Sequence, residues 1–101
     1  MMVRKMAGKE YLELVLDKLA RLGPVTGKSM FGGFGVFHNG RMFGLISADV
    51  LYFKADSSNI EEYSSRDCPR FKRMPYYQVP ADIFEDDVRL RQWAQRSIDL
   101  N

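Results

Sequence analysis

One cysteine, one histidine and one tryptophan among 101 residues leave little material for several kinds of chemistry. A lone cysteine excludes an internal disulfide framework. Joined only by one histidine, it cannot supply the three or four ligands of a zinc site. No apolar run approaches the roughly 18 residues that a membrane-spanning helix needs. The opening Met1-Met2-Val3-Arg4-Lys5-Met6-Ala7-Gly8-Lys9 lacks the continuous apolar segment of a secretory signal, so a reducing, cytoplasmic setting is expected. A large charge excess is missing as well: 15 basic and 13 acidic side chains give a formal net charge of +2. No internal repeat, low-complexity tract or linker interrupts the chain.

What is present describes a folded unit. The sequence is 46% hydrophobic and 28% charged, too apolar and too evenly charged for an intrinsically disordered chain. Its length fits one compact domain over residues 1–101, burying roughly 60–70% of its unfolded surface.

The first expected element is a helix over about Gly8 to Leu22. Tyr11, Leu12, Val15, Leu16, Leu19 and Leu22 recur at spacings of three and four, which makes one wide apolar stripe. Glu10 and Glu13 come early and Lys18 and Arg21 late, as the helix dipole favours. Gly23-Pro24 supplies the stop.

The period then changes. Phe34-Gly35-Val36-Phe37-His38 and Arg41-Met42-Phe43-Gly44-Leu45-Ile46 flank Asn39-Gly40, a strong short-range hairpin signal because both turn residues tolerate positive φ. The two-residue loop sets an expected register: His38 opposite Arg41, Phe37 opposite Met42, Val36 opposite Phe43, Phe34 opposite Leu45. One face then carries Phe34, Val36, Phe43 and Leu45, and the other Gly33, Gly35, Gly44, Phe37, Met42 and Ile46. Both hold apolar groups, so the hairpin leaves open which face meets the helices.

Val50 to Lys54 reads as a third strand, joined through Ser47-Ala48-Asp49. Ser58-Asn59-Ile60-Glu61 has capping-box spacing and is expected to open a short helix through about Tyr63. Residues 64–75 show no period and read as a loop. Tyr76 to Val79 reads as a fourth strand, stopped by Pro80. A last helix is expected over about Asp86 to Ile98, with Leu90, Trp93, Ala94 and Ile98 as its apolar stripe.

No motif makes an enzyme. Gly27-Lys28-Ser29 lacks the phosphate-loop glycine five residues upstream, where Leu22 stands, and falls outside a strand-to-helix turn. Gly32-Gly33-Phe34-Gly35 lacks the later glycine and following helix of a dinucleotide fingerprint. Its glycines are better read as sites of close packing or a bulge, with a ligand or partner approaching the bare backbone as the alternative. His38, beside the turn, reads as an exposed turn residue, since its neighbour Arg41 cannot orient the ring as a carboxylate would. Cys68, between Arg66 and Arg70, has cations that could activate it but no base nearby in sequence, and reads as an incidental thiol.

The candidate interaction surface is the basic, aromatic stretch. Arg66, Arg70, Lys72 and Arg73 outnumber Asp67, and Phe71, Tyr76 and Tyr77 lie among or beside them. Three readings compete: solvated or paired surface, a protein-interaction surface, and a nucleic-acid contact in which cations meet phosphates and rings stack on bases. Asp82, Glu85, Asp86 and Asp87 could answer the cations or complement a helix N-terminus. Exposed sheet edges leave a homodimer open.

Met30-Phe31-Gly32-Gly33-Phe34-Gly35-Val36-Phe37, Gly40-Arg41-Met42-Phe43-Gly44-Leu45-Ile46 and Leu51-Tyr52-Phe53-Lys54-Ala55-Asp56 resemble the N-terminal domain of the TfoX/Sxy family of bacterial competence regulators. Met74-Pro75-Tyr76-Tyr77-Gln78-Val79-Pro80 and Trp93 extend the likeness to about Ile98. The structural motif comprises Met30, Phe31, Gly32, Gly33, Gly35, Asn39, Gly40 and Gly44. The resemblance implies an α+β, two-layer fold: an antiparallel sheet of about four or more strands packed by N- and C-terminal helices. It also implies a non-enzymatic regulatory role without metal or cofactor, and members act with the cyclic-AMP receptor protein at competence promoters. The chain is expected to hold the N-terminal module without the C-terminal domain of longer members. The leading expectation is therefore transcriptional regulation through protein contacts. Direct nucleic-acid binding through residues 66–77, or small-molecule binding at the glycine-rich hairpin, stands as the alternative.

Overall fold

The computed structural model describes residues 8–30 and 32–100; Phe31 of the expected glycine motif and most of the opening segment weighed as a signal lie outside them. The architecture is α+β. A five-stranded, wholly antiparallel sheet runs in the order β1-β2-β3-β4-β5, with β1 Val25–Met30, β2 Gly33–His38, β3 Arg41–Ser47, β4 Val50–Lys54 and β5 Tyr76–Gln78. The helices are α1 Gly8–Lys18, α2 Ile60–Ser64, α3 Ala81–Glu85 and α4 Asp87–Asp99.

α1 is shorter than its periodicity suggests. It stops at Lys18, and Ala20–Leu22 tighten into a 3₁₀ turn because Gly23, at φ 101°, must turn the chain into Pro24 and β1. β1 itself is a strand that the hydrophobic pattern does not announce. Thr26 to Ser29 are exposed on the sheet edge, so no alternation of apolar and polar residues marks it.

The Asn39-Gly40 turn forms as expected, with φ of 51° and 78°. Beyond Phe37–Met42 the expected register fails: Val36 faces Gly44, Gly35 faces Leu45 and Phe34 faces Ile46. Phe43 is the extra residue of a β-bulge. The bulge keeps the Phe43 ring in the helix-side core and moves Ile46 there too, while Leu45 turns to the opposite face. Gly44 suits this register, because a Cβ there would lie 3.3 Å from both the Val36 Cβ and the Tyr52 carbonyl oxygen.

On one face Val36, Phe43, Ile46, Leu51 and Phe53 meet Val15 and Leu19 from the first helical segment, and Leu90, Trp93 and Ala94 from α4. Tyr63 of α2 packs edge-on to Trp93 at 5.0 Å, and Tyr11 stacks on Phe84 at 5.8 Å. α4 begins where expected: the Asp86 carboxylate accepts hydrogen bonds from the Val88 and Arg89 amides at 3.1 and 3.2 Å. Its inward stripe is Leu90, Trp93, Ala94 and Ser97, with Ile98 half-buried. The Ser97 hydroxyl is satisfied by donating to the Lys54 carbonyl at 2.8 Å. The capping box expected at Ser58 does not form. Ser58 donates instead to the Asp56 carboxylate through its amide and hydroxyl, and buried Asn59 takes the N-cap position while bridging the Asp56 amide and Lys54 carbonyl. The acidic run expected at the start of the last helix is divided, because Asp82 and Glu85 belong to α3, which follows Pro80.

Candidate functional site

Arg66 and Cys68 lie on the helix side of the sheet; from there the chain passes along β5 at Pro69 to Phe71 and sets Phe71 and Met74 on the face that carries no helices. Backbone bonds fix this path: Phe71 donates to Tyr76 at 2.8 Å, Gln78 to Pro69 at 2.9 Å, and Ala55 to Pro75 at 2.9 Å. Arg70 and Tyr77 form an isolated antiparallel bridge, so the loop doubles as a cover for the β5 edge. Left-handed φ at Lys72, 50°, turns the chain back toward β5.

Two side chains anchor the loop. Phe71 (8% exposed) and Tyr76 (5% exposed) form a second, smaller core with Leu45, flanked by Met42, Tyr52 and Met74. The Phe71 ring meets Tyr52 edge-on at 5.1 Å, an arrangement favoured by the ring quadrupoles. Burial also pushes the Tyr76 hydroxyl above its ordinary range. These two rings therefore hold the loop down and, buried as they are, present no open face on which a base could stack. Tyr77 points to the opposite face and packs against Tyr63 at 5.8 Å.

The cations divide in the same way. Arg66 leaves the group altogether: its guanidinium meets both Asp82 oxygens at 3.0 and 3.1 Å and lies 5.4 Å from the Trp93 ring. Arg89 joins Asp82 at 3.5 Å. Hydrogen bonding from Arg66 holds the Asp82 carboxyl below its usual range. Arg70 stays in the loop but spends its donors internally, on the Met74 and Arg73 carbonyls, both at 2.9 Å. Lys72 extends beside the Phe71 ring at 5.3 Å, and both Lys72 and Arg73 are exposed. The loop thus presents two cationic heads on an apolar footing.

The remaining candidates fall elsewhere. A Cβ on Gly33 would sit 2.0 Å from the Ile46 carbonyl oxygen, and one on Gly35 would sit 2.9 Å from Met30 Sδ and Phe37 Cε1. Those distances carry the packing reading of both glycines. Gly32 adopts φ 72°. A hollow of about 250 Å³ beside Gly33 is lined by Gly8, Gly32, Phe34, Ile46, Ala48 and Asp49, with one ionisable side chain among them. His38 is not an exposed turn residue as expected. It is half-buried, with Nε2 3.1 Å from the Leu22 carbonyl, and ties the hairpin to the end of the first helical segment. Burial raises the Cys68 thiol above its ordinary value, outweighing nearby Arg66, so the cations do not activate it. Among the described residues, no three His, Cys, Asp or Glu side chains gather to hold a metal, and no helix is long and apolar enough to cross a membrane.

Against known proteins, the model of the TfoX N-terminal domain matches residues 17–100. No curated protein matches the chain.

Proposed function

The chain belongs to the TfoX N-terminal domain family, and from that premise we propose that it is a non-enzymatic, cytoplasmic regulatory domain that acts on competence-related transcription through protein contacts. The observation that carries the reading is the family match over residues 17–100. The loop supports it physically. Two buried rings fix a short loop whose exposed tip offers Lys72 and Arg73, and a loop backbone already held in place spares a docking partner the cost of ordering it. The cyclic-AMP receptor protein is the partner that the family likeness suggests.

Deletion of the gene, with complementation by wild type and by a Lys72→Glu/Arg73→Glu variant, tests the proposal. DNA-uptake transcripts should fall on deletion and recover with wild type but not with the variant. Unchanged transcripts in the deletion strain would remove the regulatory reading. Direct nucleic-acid binding has no separate observation in its favour once Phe71 and Tyr76 are seen to be buried.

A further inference from the structure

The two edges of the sheet are finished differently. Residues 69–71 close β5, as described above. Among the described residues β1 has no such cover: its backbone bonds run to β2, and none of those residues bonds its outer side. It is six residues long, pairs with β2 in unbroken register and contains no proline. Such an edge offers a row of unmet N–H and C=O groups to another strand.

Side chains along β1 specify what that strand should carry. Val25, Gly27 and Ser29 lie on the helix side, opposite His38, Val36 and Phe34, while Thr26, Lys28 and Met30 lie on the helix-free side. The space above Gly27 is taken by Leu12 of α1, whose Cδ1 would lie 2.6 Å from a Cβ there. A strand added on the helix side therefore meets an apolar group. On the other side it meets Lys28, which has no ion-pair partner among the described residues, with Met30 and Phe37 closing over Gly35 behind it. The five strands contain Lys28, Arg41 and Lys54 and no acidic residue.

We propose that β1 is a docking edge for an extended segment of a partner protein that alternates acidic and apolar side chains, adding as a sixth strand with a carboxylate beside Lys28 and an apolar group against Leu12. Main-chain bonds supply affinity in such an addition and the alternating side chains supply specificity. A second copy is the poorer occupant, because antiparallel pairing of β1 with itself brings two Lys28 ammonium groups opposite or diagonal to one another. Nucleic acid could answer Lys28 but would leave the ladder groups and Leu12 unused.

The test is a titration of the ¹⁵N-labelled chain with an acetylated, amidated octapeptide alternating valine and glutamate. Amide shifts should move, and amide exchange should slow, over residues 25–30. Lys28→Glu should weaken binding by about tenfold or more, as loss and reversal of a facing charge implies, and should admit the valine–lysine counterpart instead. Lys28→Ala, expected to weaken binding without admitting the lysine peptide, keeps the test open if Lys28→Glu fails to fold. Four results overturn the proposal: no response at millimolar peptide, responses centred on residues 70–76, a thymidine oligonucleotide that perturbs residues 25–30 equally, or a dimer of the free chain in which those amides are already protected. This surface is additional to the loop, and the two fail separately, since the loop is read by the Lys72→Glu/Arg73→Glu variant and not by the peptide.

Discussion

The two faces of the sheet are both apolar, yet they are covered by different means. On the helix side Val15, Leu19, Val36, Phe43, Phe53, Ile83, Leu90 and Ala94 have no solvent exposure at all. On the other side a loop does the covering, with Phe71 and Tyr76 as anchors and Met42, Tyr52 and Met74 only half-buried. Helices supply an apolar residue at every turn and so seal a face continuously. A loop seals only where a ring reaches down, which leaves its charged residues at the surface and its cover easier to open. The contrast makes the helix side the main source of stability and leaves Lys72 and Arg73 exposed on the other.

Gly33→Val should have the largest effect. Its new Cβ would fall on the Ile46 carbonyl oxygen, a backbone atom that cannot swing aside, so a loss above about 3 kcal/mol, or failure to fold, is expected in urea titration. Phe53→Ala empties the sealed face and should cost about 3–5 kcal/mol in one cooperative transition. Phe71→Ala sharpens the comparison. It should cost about 2 kcal/mol, with faster amide exchange confined to residues 70–76, and a cost equal to that of Phe53→Ala would break the contrast. Asp86→Ala removes the cap of α4 and should lower stability by about 1 kcal/mol, measured by thermal unfolding.

The smallest effect concerns pH. The Asp82 carboxyl is held below its ordinary range in the folded chain, chiefly by hydrogen bonding from Arg66. Its contribution is therefore present above the unfolded value and is lost as pH falls through the folded one. Asp82→Asn should flatten the acid limb of the stability–pH curve slightly, since the carboxylate is largely exposed and solvent screens the pair.

Much of the fold is legible because it rests on local signals. The three- and four-residue spacing from Tyr11 to Leu19 marks α1, Asn39-Gly40 marks the hairpin, and Asp86 opens α4. What escapes is decided by tertiary contact. β1 carries no alternation because it is an exposed edge, and the Phe43 bulge arises only because two faces must be filled at once. The candidate site is half legible for the same reason. Its cations stand in the sequence, but the burial of Phe71 and Tyr76 depends on Leu45 having been turned to the helix-free face by that bulge. Pairing of Arg66 with Asp82 agrees with the nearby acidic run, whereas the capture of Arg70 by the Met74 and Arg73 carbonyls has no sequence signal.

The most direct measurement of the account is capture of partners from native cell extract on the immobilised wild-type chain and on Lys72→Glu/Arg73→Glu, each with and without nuclease, after matched thermal unfolding of the two proteins. The account predicts a bound protein that survives nuclease and is lost from the variant. Recovery abolished by nuclease, or equal recovery on both chains, would contradict it.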